Sequence, residues 1–414
     1  MNTQYHERNI SMVMDMYELT MSNGYLNQGF KDTWVAFDVF YRNNPDNGGF
    51  AIFAGLQQVV EYIENLHFSE EDVEYLRSKR LFTEELLKYL LHFRFRGDIY
   101  AMKEGTVMYP NEPVMTVVAP LIDAQLIETT ILLEINHQSL IATKTNRIVQ
   151  AANGKPVSDF GARRAHNVDA AVYGARAAYI GGAAGTATVL AGKMFHIPIS
   201  GTMAHSWVMT FDSEYDAFKA YAESYPDGTV LLVDTYDVLK SGVPNAIRTA
   251  REVLEPMGKK LIGIRLDSGD LAYLSKEARK MLDEAGLPDC MIVASNSLDE
   301  YTISSLNRQG AKIDSYGVGE RLITSSSTPV FGAVYKLVAI QKDGKFIPKI
   351  KISETAEKIT NPGIKEVYRV YDENGKAVAD YLAVKGEQIR DFEPVRYVDP
   401  VSYTHLRAHE TVLD

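Results

Sequence analysis

The run Gly263-Ile264-Arg265-Leu266-Asp267-Ser268-Gly269-Asp270 decides how this 414-residue chain is read. It closes an apolar stretch, Leu261 to Leu266, of strand length. Polar and glycine residues follow, then a helical pattern from Leu274 to Ala285 with Gly286 as its C-terminal stop. Working outward, the same strand-then-helix unit recurs. Other short apolar runs are Val157 to Phe160, Ile197 to Ser200, Val230 to Val233, Met291 to Ala294 and Ser315 to Val318, with helical stretches such as Asn245 to Met257 between them. Such alternation argues for parallel βα units. Six or so of them, led by a long helix over Leu121 to Ala152, predict a closed or nearly closed α/β barrel over residues 119–340.

The two ends have a different texture. Trp34 to Tyr41 alternates like a strand, and Leu56, Val59, Val60, Ile63 and Leu66 repeat at helical spacing. Thr83 caps a helix carrying Leu86, Leu87, Leu90 and Leu91. Strands return from Gly97 to Val118, and again from Val334 to Tyr397 around the turns Lys342-Asp343-Gly344 and Glu373-Asn374-Gly375. Residues 1–118 and 341–400 therefore read as one α+β domain beside the barrel. Val401 to Asp414 has neither a strand nor a helix pattern and reads as a frayed or non-native tail.

Composition narrows the function. No apolar run reaches the length of a membrane span, and the N-terminus lacks the basic and apolar regions of a signal peptide. One cysteine, Cys290, rules out a disulfide framework within the chain and fits a reducing cytoplasm. A net charge of −11 argues against broad nucleic-acid binding while leaving room for a local basic pocket.

In α/β barrels the chemistry gathers at the C-terminal ends of the strands. Arg163, Arg164, His205, Asp234, Asp237, Arg265, Asp267, Asp270, Asn296, Gly317 and Gly319 fall there. Around the first run, the carboxylates can hold a ribose diol or magnesium, and Arg265 can meet a phosphate or carboxylate. The same Asp-Ser-Gly-Asp is equally at home in a strand-end turn. Asp234 and Asp237 suit a helix cap as well as a metal. Gly317-Val318-Gly319 suits a plain turn or a phosphate cradle. Arg163 and Arg164, behind Asp159-Phe160-Gly161, suit a solvated rim or an aromatic-faced anion pocket. No P-loop, Gly-x-Gly-x-x-Gly fingerprint or Gly-x-Ser-x-Gly elbow is present.

Five motifs in order resemble the nicotinate phosphoribosyltransferase family: Asp15-Met16-Tyr17-Glu18-Leu19-Thr20-Met21, Asp159-Phe160-Gly161-Ala162-Arg163-Arg164-Ala165, Gly201-Thr202-Met203-Ala204-His205-Ser206, Arg265-Leu266-Asp267-Ser268-Gly269-Asp270 and Gly317-Val318-Gly319. The resemblance covers roughly residues 10 to 395. It implies an irregular α/β barrel with an α+β domain built from both chain ends, working as a homodimer with shared sites. The implied reaction joins nicotinate to phosphoribosyl pyrophosphate, with ATP as co-substrate and Mg2+ as cofactor, in NAD biosynthesis. By motif, His205 would carry a transient phosphoryl group, and Phe160 would stack on the pyridine ring against Tyr17 of the partner subunit. Arg163 would lie beside the ring, with Arg164, Thr202 and Asp270 as further substrate contacts. Arg265 and Asp267 would hold the pyrophosphate and ribose, Asp234 would lie near magnesium, and Gly317 and Gly319 would line the 5′-phosphate pocket.

Two departures stand out. Related nicotinamide enzymes place an aspartate where this chain has Thr186-Ala187-Thr188, and an acidic residue where it has Ala204; the missing carboxylates favour an anionic ligand, hence nicotinate. The stretch after Arg396 does not follow the family. Alternatives are a nicotinamide or quinolinate phosphoribosyltransferase, a magnesium-dependent barrel lyase, and a catalytically silent nucleotide-binding barrel.

Overall fold

The computed structural model describes residues 8–354, 358–387, 395–398 and 405–408. In chain order the strands are β1 (Trp34–Tyr41), β2 (Ala51–Ile52), β3 (Asp98–Ala101), β4 (Val107–Met108) and β5 (Met115–Pro120), then β6 (Val157–Asp159), β7 (Gly185–Thr186), β8 (Val230–Leu232), β9 (Gly263–Leu266), β10 (Met291–Ser295) and β11 (Ser315–Val318), then β12 (Ala333–Lys342), β13 (Lys345–Pro348), β14 (Lys365–Tyr371), β15 (Ala377–Val384), β16 (Val395–Val398) and β17 (His405–Ala408). They divide between two compact units. One spans His137–Val330, and the other holds residues up to Asn136 and from Phe331 onward.

The expected boundaries were 118/119 and 340/341, and local packing explains the difference. Helix Glu128–Ala151 runs through the junction. Its first turns serve the terminal unit: Gly55 lies so close to the Glu134 carbonyl that a Cβ would sit 2.6 Å from its oxygen. Asn136 Oδ1 accepts the Ala333 N–H at 2.7 Å. β12 pairs antiparallel with β1, so it belongs to the terminal sheet, ordered β13-β12-β1-β5-β3. That sheet joins the two chain ends, as expected of an α+β domain. Asp343 and Gly344 both take positive φ between β12 and β13, the backbone of a type I′ hairpin turn.

The His137–Val330 unit is a six-stranded parallel sheet in the order β7-β6-β11-β10-β9-β8. Its strands alternate with helices, among them Val168–Ile180, Glu214–Ser224, Leu271–Glu284 and Glu300–Arg308. Leu231, Leu232, Ile264, Leu266 and Ile292 from the strands pack with Phe218, Leu254 and Leu282 from the helices in one core. This is the TIM-like α/β fold, irregular because β7 and β8 are not paired with each other among the described residues.

Three readings of the sequence are corrected. Ile197–Ile199 is not a strand: it makes a single parallel bridge, Ile199 to Thr186, and Pro198, having no N–H, cannot sustain a ladder. The strand at that place is Gly185–Thr186, too short to show a period. Leu121 to Ala152 is two helices, Leu121–Gln125 and Glu128–Ala151. In the tail, His405–Ala408 pairs antiparallel with Val395–Val398, where no strand was expected; 401–404 and 409–414 lie outside the described residues. Among the described residues no helix is long and apolar enough to cross a membrane.

Candidate active site

β9 ends in the side chain around which the site is assembled. Arg265 donates from Nε to Ser295 Oγ at 2.9 Å, from Nη1 to Thr202 Oγ1 at 2.9 Å and the Met203 carbonyl at 3.3 Å, and from Nη2 to Asp267 Oδ1 at 3.0 Å. Ser295 closes the ring by donating to Asp267 Oδ1. Parallel register explains the meeting: Val293 lies opposite Arg265 and Ala294 opposite Leu266, which carries Ser295 alongside Asp267. Burial drives the Asp267 carboxyl upward, but the bonds from Ser295 and Arg265, the Arg265 charge and nearby His205 outweigh it, and the group stays below the usual carboxylate range.

Asp234, just beyond β8, faces the same cluster. Its Oδ2 accepts from the Asp267 N–H at 2.9 Å and from Ser268 Oγ at 2.6 Å. Its Oδ1 is buried without a hydrogen-bond partner. His205 opens the short helix His205–Met209. Its Nδ1 lies 3.1 Å from Thr235 Oγ1, and its Nε2 lies 3.9 Å from Asp234 Oδ1 and 3.8 Å from Asp267 Oδ2. One imidazole thus has a hydroxyl on one side and two carboxylates on the other.

The Phe160 ring lies beside this cluster, with the Arg265 guanidinium carbon 5.7 Å from its centroid. Two contacts fix the ring. The Phe160 N–H donates to the Val318 carbonyl at 2.8 Å. Gly317 leaves the space the ring fills: a Cβ there would meet ring atoms Cδ2 and Cε2 at 2.4 Å. Gly319 approaches the Phe160 carbonyl, its notional Cβ 3.2 Å away. Asp159 anchors the turn from underneath. It is fully buried and accepts from Gly161 N and Thr186 Oγ1, each at 2.8 Å; burial raises its pKa and those two bonds oppose the rise.

Thr202, Asp234, Arg265 and Asp267 thus form one hydrogen-bonded cluster, which the His205 ring faces, with Phe160, Gly317 and Gly319 beside it. Other candidates have structural work. Asp270 caps helix Leu271–Glu284 through Tyr273 N at 3.0 Å, and Asp237 caps the turn after it through Leu239 N and Lys240 N. The helix-cap reading describes Asp237, and Asp270, expected in a strand-end turn, is a cap as well. Arg163 and Arg164 are exposed on the turn after Phe160, Arg164 lying 4.0 Å from Glu320. Tyr17 belongs to the other unit. Its ring is 42 % exposed on helix Met16–Asn27, and burial together with the Glu128 carboxylate, which also hydrogen-bonds it, raises its phenol pKa.

Sequence reading passed over Ser295, Ser268 and Thr235. Ser295 has no pattern signal of its own: it lies one residue past the apolar run Met291 to Ala294, and only the register of β10 brings it to the site. Asn296 and Ser297, next in the chain, both take left-handed φ, 81° and 51°. Two successive non-glycine residues in that region mark a constrained loop at a barrel strand end.

The chain is similar to known proteins along most of its length. Models of the nicotinate phosphoribosyltransferase N-terminal domain, family core and C-terminal domain match residues 12–136, 156–374 and 364–411. The last match runs past residue 396, where the sequence reading ends the resemblance. Over 398 residues the chain is 49% identical to nicotinate phosphoribosyltransferase of Bacillus subtilis, covering 96% of this chain and 81% of that one. The crystal structure of human nicotinic acid phosphoribosyltransferase aligns with a TM-score of 0.83 at 28% identity, covering 96% of this chain and 87% of that one. That of a nicotinate-nucleotide pyrophosphorylase from Pyrococcus furiosus aligns at 0.72 and 26%, covering 99% and 92%.

Proposed function

The chain belongs to the nicotinate phosphoribosyltransferase family, and on that premise we propose that it makes nicotinate mononucleotide and pyrophosphate from nicotinate and phosphoribosyl pyrophosphate, coupled to ATP hydrolysis. The pyridine nitrogen attacks the anomeric carbon as the bond to the pyrophosphate oxygen breaks, and the electron pair leaves with pyrophosphate. The carbon between them acquires oxocarbenium character, so catalysis rests on in-line placement and on cations at the leaving group. Phe160, backed by Gly317, offers the face for the ring, and Tyr17 of a second copy would cover the other face. Arg163 and Arg164 offer charge beside the substrate carboxylate or phosphate. Arg265 and Asp267 offer a guanidinium N–H and a carboxylate oxygen for the pyrophosphate and ribose. Gly319, half-buried just past β11, would offer backbone to the 5′-phosphate, while Gly317, filled over by the Phe160 ring, would line that pocket only by seating the ring.

The observation that carries the ATP-coupled reading is the His205 ring, with Thr235 at Nδ1 and two carboxylates facing Nε2. Carboxylates on that side favour the tautomer protonated at Nε2, which leaves the Nδ1 lone pair to take the γ-phosphoryl group of ATP as ADP departs. The phosphohistidine adds negative charge beside the cluster and is hydrolysed to phosphate when the cycle closes.

Magnesium fits the donor set. Asp234 Oδ1 is a buried oxygen with no partner, and the described residues hold no group of three or more His, Cys, Asp or Glu that could cage an ion. Magnesium commonly takes one or two protein carboxylates together with substrate phosphates. Asp234 would hold it, and it would neutralise the departing pyrophosphate. A single, buried cysteine is in keeping with work in the cytoplasm.

Incubation with nicotinate, phosphoribosyl pyrophosphate, magnesium and ATP should yield nicotinate mononucleotide; nicotinamide and quinolinate in place of nicotinate should not. Product from either of those instead would move the chain to the corresponding alternative. His205→Ala should abolish ATP hydrolysis and the acid-labile phosphoenzyme while sparing slow, uncoupled product formation. ATP coupling undiminished in that variant would remove His205 from the relay.

A further inference from the structure

We propose that Ser295 is a positioning residue for phosphoribosyl pyrophosphate, acting through Arg265 and Asp267; the proposal rests on the assignment of those two side chains to that substrate. Ser295 is 3% exposed at the end of β10, with Gly317 as its partner on β11. β10 is an interior strand, and two charged partners hold the hydroxyl. Arg265 Nε, a permanent donor, takes an oxygen lone pair at 2.9 Å. The single hydroxyl proton is therefore directed to Asp267 Oδ1.

This arrangement decides what the ion pair presents to a ligand. Arg265 on β9 and Asp267 just past its end stand two residues apart, and their contact alone, 3.0 Å from Nη2 to Oδ1, would allow the two groups to swivel together. Ser295 adds a second link between them, and Thr202 Oγ1 with the Met203 carbonyl occupies Nη1. One N–H on Nη2 and the Asp267 Oδ2 are left over. That donor and acceptor side by side match a phosphate oxygen and a ribose hydroxyl. Without the serine hydroxyl, the guanidinium Nε and the carboxylate Oδ1 each lose a charge-assisted bond, and the pair can re-aim.

The test compares the wild type with Ser295→Ala, Ser295→Cys and Ser295→Thr. Cysteine keeps the size but bonds weakly, whereas threonine keeps the hydroxyl. Three readouts are taken: KM for each substrate, calorimetric Kd for phosphoribosyl pyrophosphate without nicotinate, and the thermal midpoint. Alanine and cysteine should raise KM and Kd for phosphoribosyl pyrophosphate by about tenfold or more, as expected for losing hydrogen bonds to charged groups. KM for nicotinate should stay within about twofold, and threonine should restore tight binding. Loss of stability alone would lower the active fraction without splitting the two KM values. An alanine or cysteine variant with wild-type affinity for phosphoribosyl pyrophosphate would overturn the proposal. So would a threonine variant as weak as alanine. A wild-type protein that binds phosphoribosyl pyrophosphate but makes no nicotinate mononucleotide would instead overturn the functional reading, with the Kd comparison still deciding the role of Ser295.

Discussion

Gly317→Ala strikes the Phe160 ring first. The added Cβ would stand 2.4 Å from ring atoms Cδ2 and Cε2, where ordinary contact begins near 3.4 Å, so ring and strand must separate by about 1 Å (3.4 − 2.4). The strand is poorly placed to give. Gly317 is paired with Ser158 on β6 and Ser295 on β10, and the Phe160 backbone is bonded to Val318. The ring therefore turns away from its present place. Overpacking of this kind costs about 1–3 kcal/mol of stability. Loss of an aromatic stack costs about 0.5–1.5 kcal/mol, or about 2- to 13-fold in nicotinate KM. Misplacement of the reacting nitrogen by about 1 Å adds a fall in kcat on the order of 100-fold. Steady-state rates with nicotinate varied at saturating phosphoribosyl pyrophosphate read both effects, and urea unfolding reads the stability. A folded Gly317→Ala enzyme with unchanged nicotinate KM and kcat would refute the placement of the ring.

Two further outcomes concern buried charge. Glu18, fully buried, has its pKa raised to about 7, chiefly by burial and against hydrogen bonds from Thr129 and Asp15. A raised carboxyl is most compatible with the fold when protonated, so its contribution is complete below about pH 4.5 and is lost as pH rises through about 7. Urea midpoints from pH 5 to 8 should fall more steeply for the wild type than for Glu18→Gln; parallel profiles would contradict the assignment. Lys144 Nζ lies 2.8 Å from both Glu300 Oε1 and Ser327 Oγ, with Arg147 Nε 3.6 Å from the same carboxylate oxygen. Lys144→Met should cost about 3 kcal/mol in denaturant unfolding, the low end for breaking a buried pair because Arg147 remains. Lys144→Met/Glu300→Leu should recover part of that loss.

Much of the barrel was legible because βα units announce themselves by period. Leu261 to Leu266 and Ser315 to Val318 are apolar runs too short for helices, and each is followed by a helix start or a glycine turn. What failed did so for local reasons. Gly185–Thr186 is two residues long and carries no pattern. Ile197-Pro198-Ile199 has a strand's composition, but the proline lacks the N–H a ladder needs. In the site, residues that bear charge or sit at glycine turns were visible from their type alone. Asp270 and Asp237 were visible too, but type cannot separate a cap from a ligand; the amides of Tyr273, Leu239 and Lys240 do. Ser295 was missed because its importance comes from the register of β10 against β9, which pairs residues roughly 30 positions apart.

The four hydrogen bonds on Arg265 also bear on entropy. A free arginine side chain carries about 2 kcal/mol of rotamer freedom, which a ligand must ordinarily remove on binding. Here folding has already removed it, so the guanidinium meets its anion in a single orientation. The planar fork makes this possible: Nε, Nη1 and Nη2 reach Ser295, Thr202 and Asp267 at once. A lysine at 265 would keep the charge, but its one ammonium could not span three such partners.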